Sequence, residues 1–124
     1  NYTFGHELGH LQGARHNWET DSTNNAPYSF NHGYGESISA GSAWRSVMGY
    51  SSACNCGIRD LRWSIPNLNH PITGNPTGRP TSGAQATDNA QTLNLTALTV
   101  ANFRVSESIV YTEFLNLPVF GRSN

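Results

Sequence analysis

The stretch that decides the fold stands near the start of the chain and reads Thr3-Phe4-Gly5-His6-Glu7-Leu8-Gly9-His10-Leu11-Gln12-Gly13-Ala14-Arg15-His16. On an α-helix, which turns about 100° per residue, His6 and His10 lie on one face and can reach one metal ion. A continued helix would turn His16 to the far side. Gly13 can end the helix first, because glycine adopts the left-handed C-terminal conformation without a Cβ penalty. The pattern therefore predicts a helix, a sharp turn and three converging histidines.

These residue types predict a catalytic zinc ion held by His6, His10 and His16. Three imidazoles with an open fourth position are typical of catalytic zinc, whereas structural zinc sites are closed by four protein ligands. Glu7 lies beside the histidine face, where it can take a proton from a metal-bound water and pass it to a leaving amine. The alternative, a chance match on an amphipathic helix, is disfavoured by Gly13 and by the third histidine at these offsets.

The complete stretch resembles the long zinc signature of the metzincin metallopeptidases, which implies a later tight turn that carries methionine. The single methionine of the chain is Met48, and it lies within Arg45-Ser46-Val47-Met48-Gly49-Tyr50. The resemblance implies that Met48 forms an apolar floor beneath the zinc site; the alternative is a methionine that fills a gap in the core. Tyr50 stands where the astacin and serralysin branches place a tyrosine that contacts the zinc or the oxyanion. Its alternative is a phenol that only packs on this turn.

Downstream segments narrow the resemblance to the peptidyl-Asp metalloendopeptidases, which are secreted bacterial metzincins of the reprolysin-like type. The segments are Trp63-Ser64-Ile65-Pro66, Gly74-Asn75-Pro76-Thr77-Gly78, Asp88-Asn89-Ala90 and Val100-Ala101-Asn102-Phe103-Arg104. The chain departs from the pattern at Asn17, where reprolysin-like enzymes usually have aspartate, and at Ile65, where this family tends to have asparagine. The resemblance implies an extracellular endopeptidase that acts on proteins or peptides, with a preference for bonds next to acidic residues.

An acidic preference requires a cation in the substrate pocket, and arginine can hold a carboxylate through two parallel hydrogen bonds. The candidates are Arg59 and Arg62, in the segment that forms the pocket wall in metzincins, and Arg45, just before the methionine turn. The sequence does not choose among them.

The resemblance also implies the fold class. Metzincin catalytic domains have an upper part with a twisted sheet, and a lower part with the third histidine, the methionine turn and a last helix. We expect an α+β fold in which residues 1–104 are the zinc helix and this lower part, and residues 105–124 are a strand-like tail or the start of a further segment.

No strand-rich segment precedes the zinc helix, so the upper sheet is expected to be missing from this chain. The helix would then leave Phe4, Leu8 and Leu11 uncovered, at a loss of roughly 1.5–3 kcal/mol for each large side chain. We therefore expect the rest of a larger catalytic domain, or another chain, to cover that face. The alternative is that the tail from Ile109 to Phe120 folds back as a substitute strand.

A periodic stripe of small apolar residues predicts the last helix over residues 85–104. Its members are Ala86, Ala90, Leu93, Ala97, Val100 and Ala101. We expect this stripe to pack into the core. Ser82 with Gln85 forms a plausible capping box at the start of the helix, and Thr87 is the alternative start.

Other polar residues have weaker interpretations. Two cysteines, Cys54 and Cys56, are separated by one residue, so a strained disulfide, a shared zinc site and partners elsewhere in the protein all remain open. An acidic and amide-rich stretch supplies possible calcium ligands, although a solvated loop is favoured. These ligands are Glu19, Asp21, Asn24 and Asn25. His32 reads as a loop histidine, and His70 has no assignment.

Composition excludes some functions. The 124 residues carry a net charge of −1 with 12% charged residues, so no basic surface indicates nucleic acid or an anionic membrane as a partner. No apolar run approaches the roughly 18 residues of a membrane span. The zinc endopeptidase interpretation has two rivals, another zinc hydrolase and a non-catalytic zinc-stabilised interaction module. The glutamate after the first histidine argues against the second rival, because a purely structural site needs no base.

Overall fold

The computed structural model describes residues 2–23, 26–37 and 43–103, without the side chains of residues 52 and 53. The helices are α1 (Thr3–Leu11), α2 (Ser51–Cys54) and α3 (Asn89–Ala101), and the strands are β1 (Gly35–Glu36), β2 (Trp44–Arg45), β3 (Ile58–Arg59), β4 (Ile65–Asn69) and β5 (Pro76–Thr77). The predicted α+β class is confirmed for these residues. The tail over residues 105–124, including the proposed substitute strand, lies outside them.

The strands form two small sheets that leave most of the chain in ordered connections. In one sheet β1 pairs antiparallel with β2, and β2 pairs parallel with β3. In the other sheet β4 pairs antiparallel with β5, with a register shift between Ile65 and Asn69. Because four of the five strands contain two residues, side-chain hydrogen bonds must satisfy much of the remaining backbone.

The end of α1 is a Schellman motif built on Gly13. The Gly13 N–H donates to the His10 carbonyl at 2.9 Å, and the Ala14 N–H donates to the Gly9 carbonyl at 2.9 Å. Gly13 has a φ of +88°, and a Cβ at this position would lie 2.5 Å from the Pro27 ring. This turn reverses the chain after the second histidine and brings the following residues back towards the helix.

Helix α3 begins four residues later than the sequence predicted. Asp88 caps it, since its Oδ1 accepts a hydrogen bond of 2.9 Å from the Gln91 N–H. The predicted start at Gln85 is wrong because that residue lies in the left-handed region, with a φ of 53°. The alternative start at Thr87 is also wrong, because Thr87 forms β-bridges with the backbone of two other segments.

The buried face of α3 is polar, so the predicted apolar stripe is wrong in part. The buried helix residues are Asn89 and Thr92, whereas Ala97 and Ala101 are exposed. The Asn89 side chain donates to the Asn31 carbonyl at 2.6 Å, and its backbone N–H donates to Ser64 Oγ at 2.8 Å. These bonds satisfy loop groups that no strand satisfies, which explains the burial of polar side chains.

The cysteines form a disulfide that joins the end of α2 to the start of the segment leading into β3. The Cα atoms of Cys54 and Cys56 are 5.2 Å apart, and Asn55 between them adopts a left-handed φ of 50°. Of the three alternatives left open by the sequence, the structure contains the disulfide. The bond packs against Gly35 of β1, where a Cβ would collide with the Cys54 sulfur.

One small apolar cluster lies beneath α1. Ala14, Val47 and Met48 are buried together, and Trp63 packs against them. On the opposite side of α1, Phe4 is 76% and Leu11 is 73% exposed. No helix in the described part of the chain is long and apolar enough to cross a membrane.

Candidate metal centre

The three histidines of the opening motif converge. The Nε2 atom of His16 lies 3.2 Å from Nε2 of His6 and 3.0 Å from Nε2 of His10. The potential ligand atoms all lie within 4.8 Å of one another, and within the described ranges this is the one group of three or more such residues that could hold a metal ion. Helix α1 supplies two of these side chains, and the turn at Gly13 delivers the third.

Hydrogen bonds to backbone carbonyls fix the orientation of the first two rings. His6 Nδ1 lies 2.9 Å from the Val47 carbonyl, and His10 Nδ1 lies 2.9 Å from the Ala14 carbonyl. A carbonyl only accepts, so each Nδ1 carries the proton and each Nε2 presents a lone pair to the centre. A proton on His16 could satisfy only one of these lone pairs. The donor set therefore fits a cation that prefers neutral imidazole.

The electrostatic environment keeps His16 neutral at pH 7. The pKa of His16 is lowered to about 4, first by burial and then by the charges of His10 and His6, while Asp21 and Glu7 act in the opposite direction. A neutral imidazole is the form that binds a metal. His16 can thus act as a ligand without first losing a proton at neutral pH.

His32, interpreted from the sequence as a loop histidine, is a fully buried support of the site. Its Nδ1 lies 2.8 Å from the His16 carbonyl and its Nε2 lies 3.0 Å from the Thr23 carbonyl. Its ring also stacks on Trp18, with centroids 3.8 Å apart. The sequence did not reveal this role, because His32 was judged only by its spacing from other possible metal ligands. Its partner at the site is a backbone carbonyl.

Met48 lies between the metal helix and a second backbone segment. It is 0% exposed, and a Cβ on Gly9 would lie 2.9 Å from its sulfur. A Cβ on Gly33 would lie 2.9 Å from the Met48 Cβ. The two glycines permit this close approach, so the apolar side chain packs directly under the helix that carries His6 and His10.

Tyr50 and Asn17 complete the surroundings of the third histidine. The Tyr50 ring stands edge-on to His16 with centroids 4.4 Å apart, and it is 6.1 Å from the His6 ring. Asn17 is buried, and its Oδ1 accepts a hydrogen bond of 2.9 Å from the Tyr50 N–H. Its Nδ2 donates to Glu19 at 2.8 Å, a bond that an aspartate could not make. Glu7 follows His6 on α1 and is exposed to solvent.

Both carboxylates considered as calcium ligands accept hydrogen bonds from protein groups. Asp21 accepts two hydrogen bonds from the Arg15 guanidinium, at 2.7 and 2.8 Å. Burial raises the pKa of Asp21, but the hydrogen bonds from Arg15 and Thr23 outweigh burial and lower it to about 2. Glu19 accepts from Asn17 and from Arg79. The other two candidate ligands, Asn24 and Asn25, lie outside the described residues.

Comparison with known proteins finds similar metalloendopeptidases. The chain is 40% identical over 103 residues to a peptidyl-Asp metalloendopeptidase of Stenotrophomonas maltophilia strain K279a. Proteins of the same name from Xanthomonas campestris and Pseudomonas fragi are 38% and 37% identical over 104 and 103 residues. The chain is homologous to peptidyl-Asp metalloendopeptidases. The resemblance predicted from the sequence is thereby confirmed.

The homology covers most of this chain but a minor part of most relatives. Each match includes 83% of this chain, yet only 23% of the Stenotrophomonas and 22% of the Xanthomonas protein. For the Pseudomonas protein the share is 59%. No protein-family model matches the chain, and no solved structure matches it.

Proposed function

We propose that this chain is the metal-binding part of a zinc endopeptidase that hydrolyses peptide bonds in proteins or peptides. The observation that carries the proposal is the convergence of three Nε2 atoms, with an exposed glutamate on the helix that carries the first two histidines. The homology to metalloendopeptidases supports the same reaction class.

The proposed roles follow from position. His6, His10 and His16 hold the zinc ion, which when bound supplies an acidified water and a Lewis acid for the scissile carbonyl. Glu7 accepts the proton of the attacking water and donates it to the leaving amine. Tyr50, beside the rings of two ligands, donates its hydroxyl proton as a hydrogen bond to the oxyanion. Met48 keeps the floor of the site apolar and rigid.

We further propose that these residues work within a larger catalytic domain. Residues 1–104 would be its zinc helix and lower part in the metzincin arrangement, and residues 105–124 would be a strand-like tail or the start of a further segment. The exposure of Phe4 and Leu11 supports this proposal, as does the small share of most relatives that the chain covers. The covering element would be the rest of the domain or another chain. The names of the relatives support a preference for bonds next to aspartate, and the family resemblance supports an extracellular location.

Cleavage of casein by the zinc-loaded chain, and by a longer protein containing it, tests the proposed reaction. Glu7→Gln should retain one zinc and lose roughly 10²–10⁴-fold in kcat/KM, because it removes the general base and leaves the ligands intact. Tyr50→Phe should lower kcat with little change in KM, since the oxyanion forms only during reaction. Normal turnover by Glu7→Gln would exclude the proposed mechanism. Zinc binding without cleavage in either form would favour the non-catalytic module.

A further inference from the structure

Two arginines are neighbours on the three-stranded sheet. Strands β2 and β3 run parallel, and Arg45 of β2 is in register with Arg59 of β3. Residues in register on adjacent strands project from the same face of a sheet, about 4.8 Å apart. On its other side, Arg45 is paired with Gly35 of β1, which has no side chain. The two cationic side chains therefore stand next to each other on one face.

These two positive charges have no carboxylate partner within the described ranges. The other arginines in those ranges each form an ion pair with an aspartate or a glutamate, namely Arg15, Arg62 and Arg79. Burial, followed by the like charge of Arg59, lowers the pKa of Arg45. Partly buried charges in proteins are normally paired, so the pair lacks a negative group.

The hydrogen-bond donors of the pair are also incompletely used. Arg45 donates through Nη1 to the carbonyls of Cys56 and Gly57. Its Nε is buried without a hydrogen-bond partner among the described residues, and the same is true of the Arg59 Nε. Because a buried donor without an acceptor is unfavourable, an acceptor bound between the two arginines would stabilise the folded chain.

The free donors indicate the chemistry of that acceptor. With Nη1 of Arg45 on the carbonyls, Nε and Nη2 remain as a planar pair of donors. The same two atoms of Arg15 hold both oxygens of Asp21, at 2.7 and 2.8 Å. An oxyanion matches such a pair of donors. Arg45 and Arg59 are both partly exposed, so a small ion can reach them from solvent. The net charge of −1 disfavours an extended polyanion as the ligand.

We propose that Arg45 and Arg59 bind a free divalent oxyanion of the phosphate or sulfate type. The ion accepts hydrogen bonds from both guanidinium groups and neutralises their mutual repulsion. Because Arg45 also holds the Cys56 carbonyl, the ion stabilises the contact between β2 and the disulfide-bonded segment. The site shares no residue with the three histidines, so the inference goes beyond the proposed function.

Titration of the full chain with inorganic phosphate, followed by NMR, tests the proposal. Zinc is left out because its open position would also bind phosphate. The Nε–H signals of Arg45 and Arg59 should shift and saturate, since these donors gain an acceptor. Sodium chloride at equal ionic strength should give no saturable shift, because screening needs no specific site. Phosphate should also raise the thermal unfolding temperature, because it binds the folded chain.

Arg59→Gln is the most informative variant, since Arg59 makes no hydrogen bond to another described residue that the substitution would break. It should weaken phosphate binding by at least about 10-fold, as expected for the loss of one charge-assisted contact. In phosphate-free buffer it should raise the unfolding temperature, because it relieves the repulsion of Arg45. Arg59→Lys should retain part of the affinity, since lysine supplies the charge without the planar donors. Arg79→Gln is the matched control, because Arg79 is paired with Glu19, and should leave the affinity within about 2-fold.

The absence of a saturable response to phosphate, or equal affinity of the parent chain and Arg59→Gln, would overturn the proposal. Phosphate binding that appears only when Glu107→Gln and Glu113→Gln are both introduced would also overturn it. Those two glutamates lie outside the described residues, and the result would make one of their carboxylates the occupant. Displacement of phosphate by the peptide acetyl-Ala-Ala-Asp-Leu-amide would instead assign the two arginines to the substrate pocket, and it too would contradict a site for a free ion.

Discussion

The two sides of helix α1 differ in how far this chain buries their side chains. On the inner side, His6 is 6% exposed and hydrogen-bonded to the Val47 carbonyl, and Gly9 lies against the buried Met48. On the outer side, Phe4 and Leu11 are 76% and 73% exposed. The inner side is thus organised by this chain alone, whereas the outer side carries apolar surface that only a further element would bury. The residues on the inner side therefore set the ligand geometry, whereas the residues on the outer side need a further element to complete the domain.

The largest difference between the two sides should appear when one side chain on each is truncated. Met48→Ala removes a fully buried side chain and should lower the free energy of unfolding by roughly 2–5 kcal/mol. Phe4→Ala, on the exposed side, should change it by no more than about 0.5 kcal/mol. Urea unfolding of the zinc-free chain measures both. Equal effects of the two substitutions would mean that the outer side is packed in solution.

The Phe4→Ala substitution can also be tested in a longer protein that contains this chain. There, Phe4→Ala should cost roughly 3–5 kcal/mol, as expected for a buried aromatic residue. A small effect in the longer protein would contradict the proposal that a further part of the catalytic domain covers this side of α1.

The turn after α1 should tolerate substitution less than the helix itself. Gly13→Ala places a Cβ against Pro27 and forces alanine into a φ of +88°, so we expect a loss of roughly 1–3 kcal/mol and weaker zinc binding. Gly5→Ala is the matched control, because no atom lies within 4 Å of a Cβ there. It should stabilise the helix by roughly 0.5–1 kcal/mol. Thermal unfolding and zinc affinity check both, and a neutral Gly13→Ala would show that the Schellman turn does not position His16.

Lowering the pH should reduce the free energy of unfolding of the metal-free chain within a defined window. The pKa of His16 falls from 6.5 to about 4 in the folded chain, so the unfolded chain binds the extra proton first. Stability is therefore fully present above about pH 6.5 and decreases as the pH falls towards 4. His16→Gln should reduce this slope, and buried His32, whose pKa is also lowered by burial, should account for part of the remainder. Urea unfolding of both proteins at several pH values would detect the difference. A stability that rises as the pH falls through this window would contradict the environment described for His16.

Local spacing accounts for the parts of the molecule that the sequence predicted well. The helix that carries His6 and His10 and its termination at Gly13 depend on residues fewer than ten positions apart. The start of α3 depended instead on the contact of Thr87 with the distant backbone of Asn31. The burial of Asn89 likewise depends on the Asn31 carbonyl and on Ser64. A polar residue that satisfies a remote loop has no periodic signal, so these positions could not be predicted from the pattern.

The histidine His32 shows the same limit at the site. Its importance comes from a hydrogen bond of 2.8 Å to the His16 carbonyl across 16 residues of chain. Residue types and their spacing predicted which histidines converge, whereas the supporting contacts required the tertiary structure.

The central claim is that the inner side of α1 forms a three-histidine zinc site with an open position. X-ray absorption at the zinc edge, on the chain loaded with one equivalent of zinc, tests this claim most directly. We expect one zinc per chain, with three nitrogen ligands at about 2.0–2.1 Å and one oxygen ligand. His16→Ala should remove one of the nitrogen ligands. A chain that binds no zinc, or a zinc with sulfur ligands at about 2.3 Å from opening of the Cys54–Cys56 disulfide, would contradict the account.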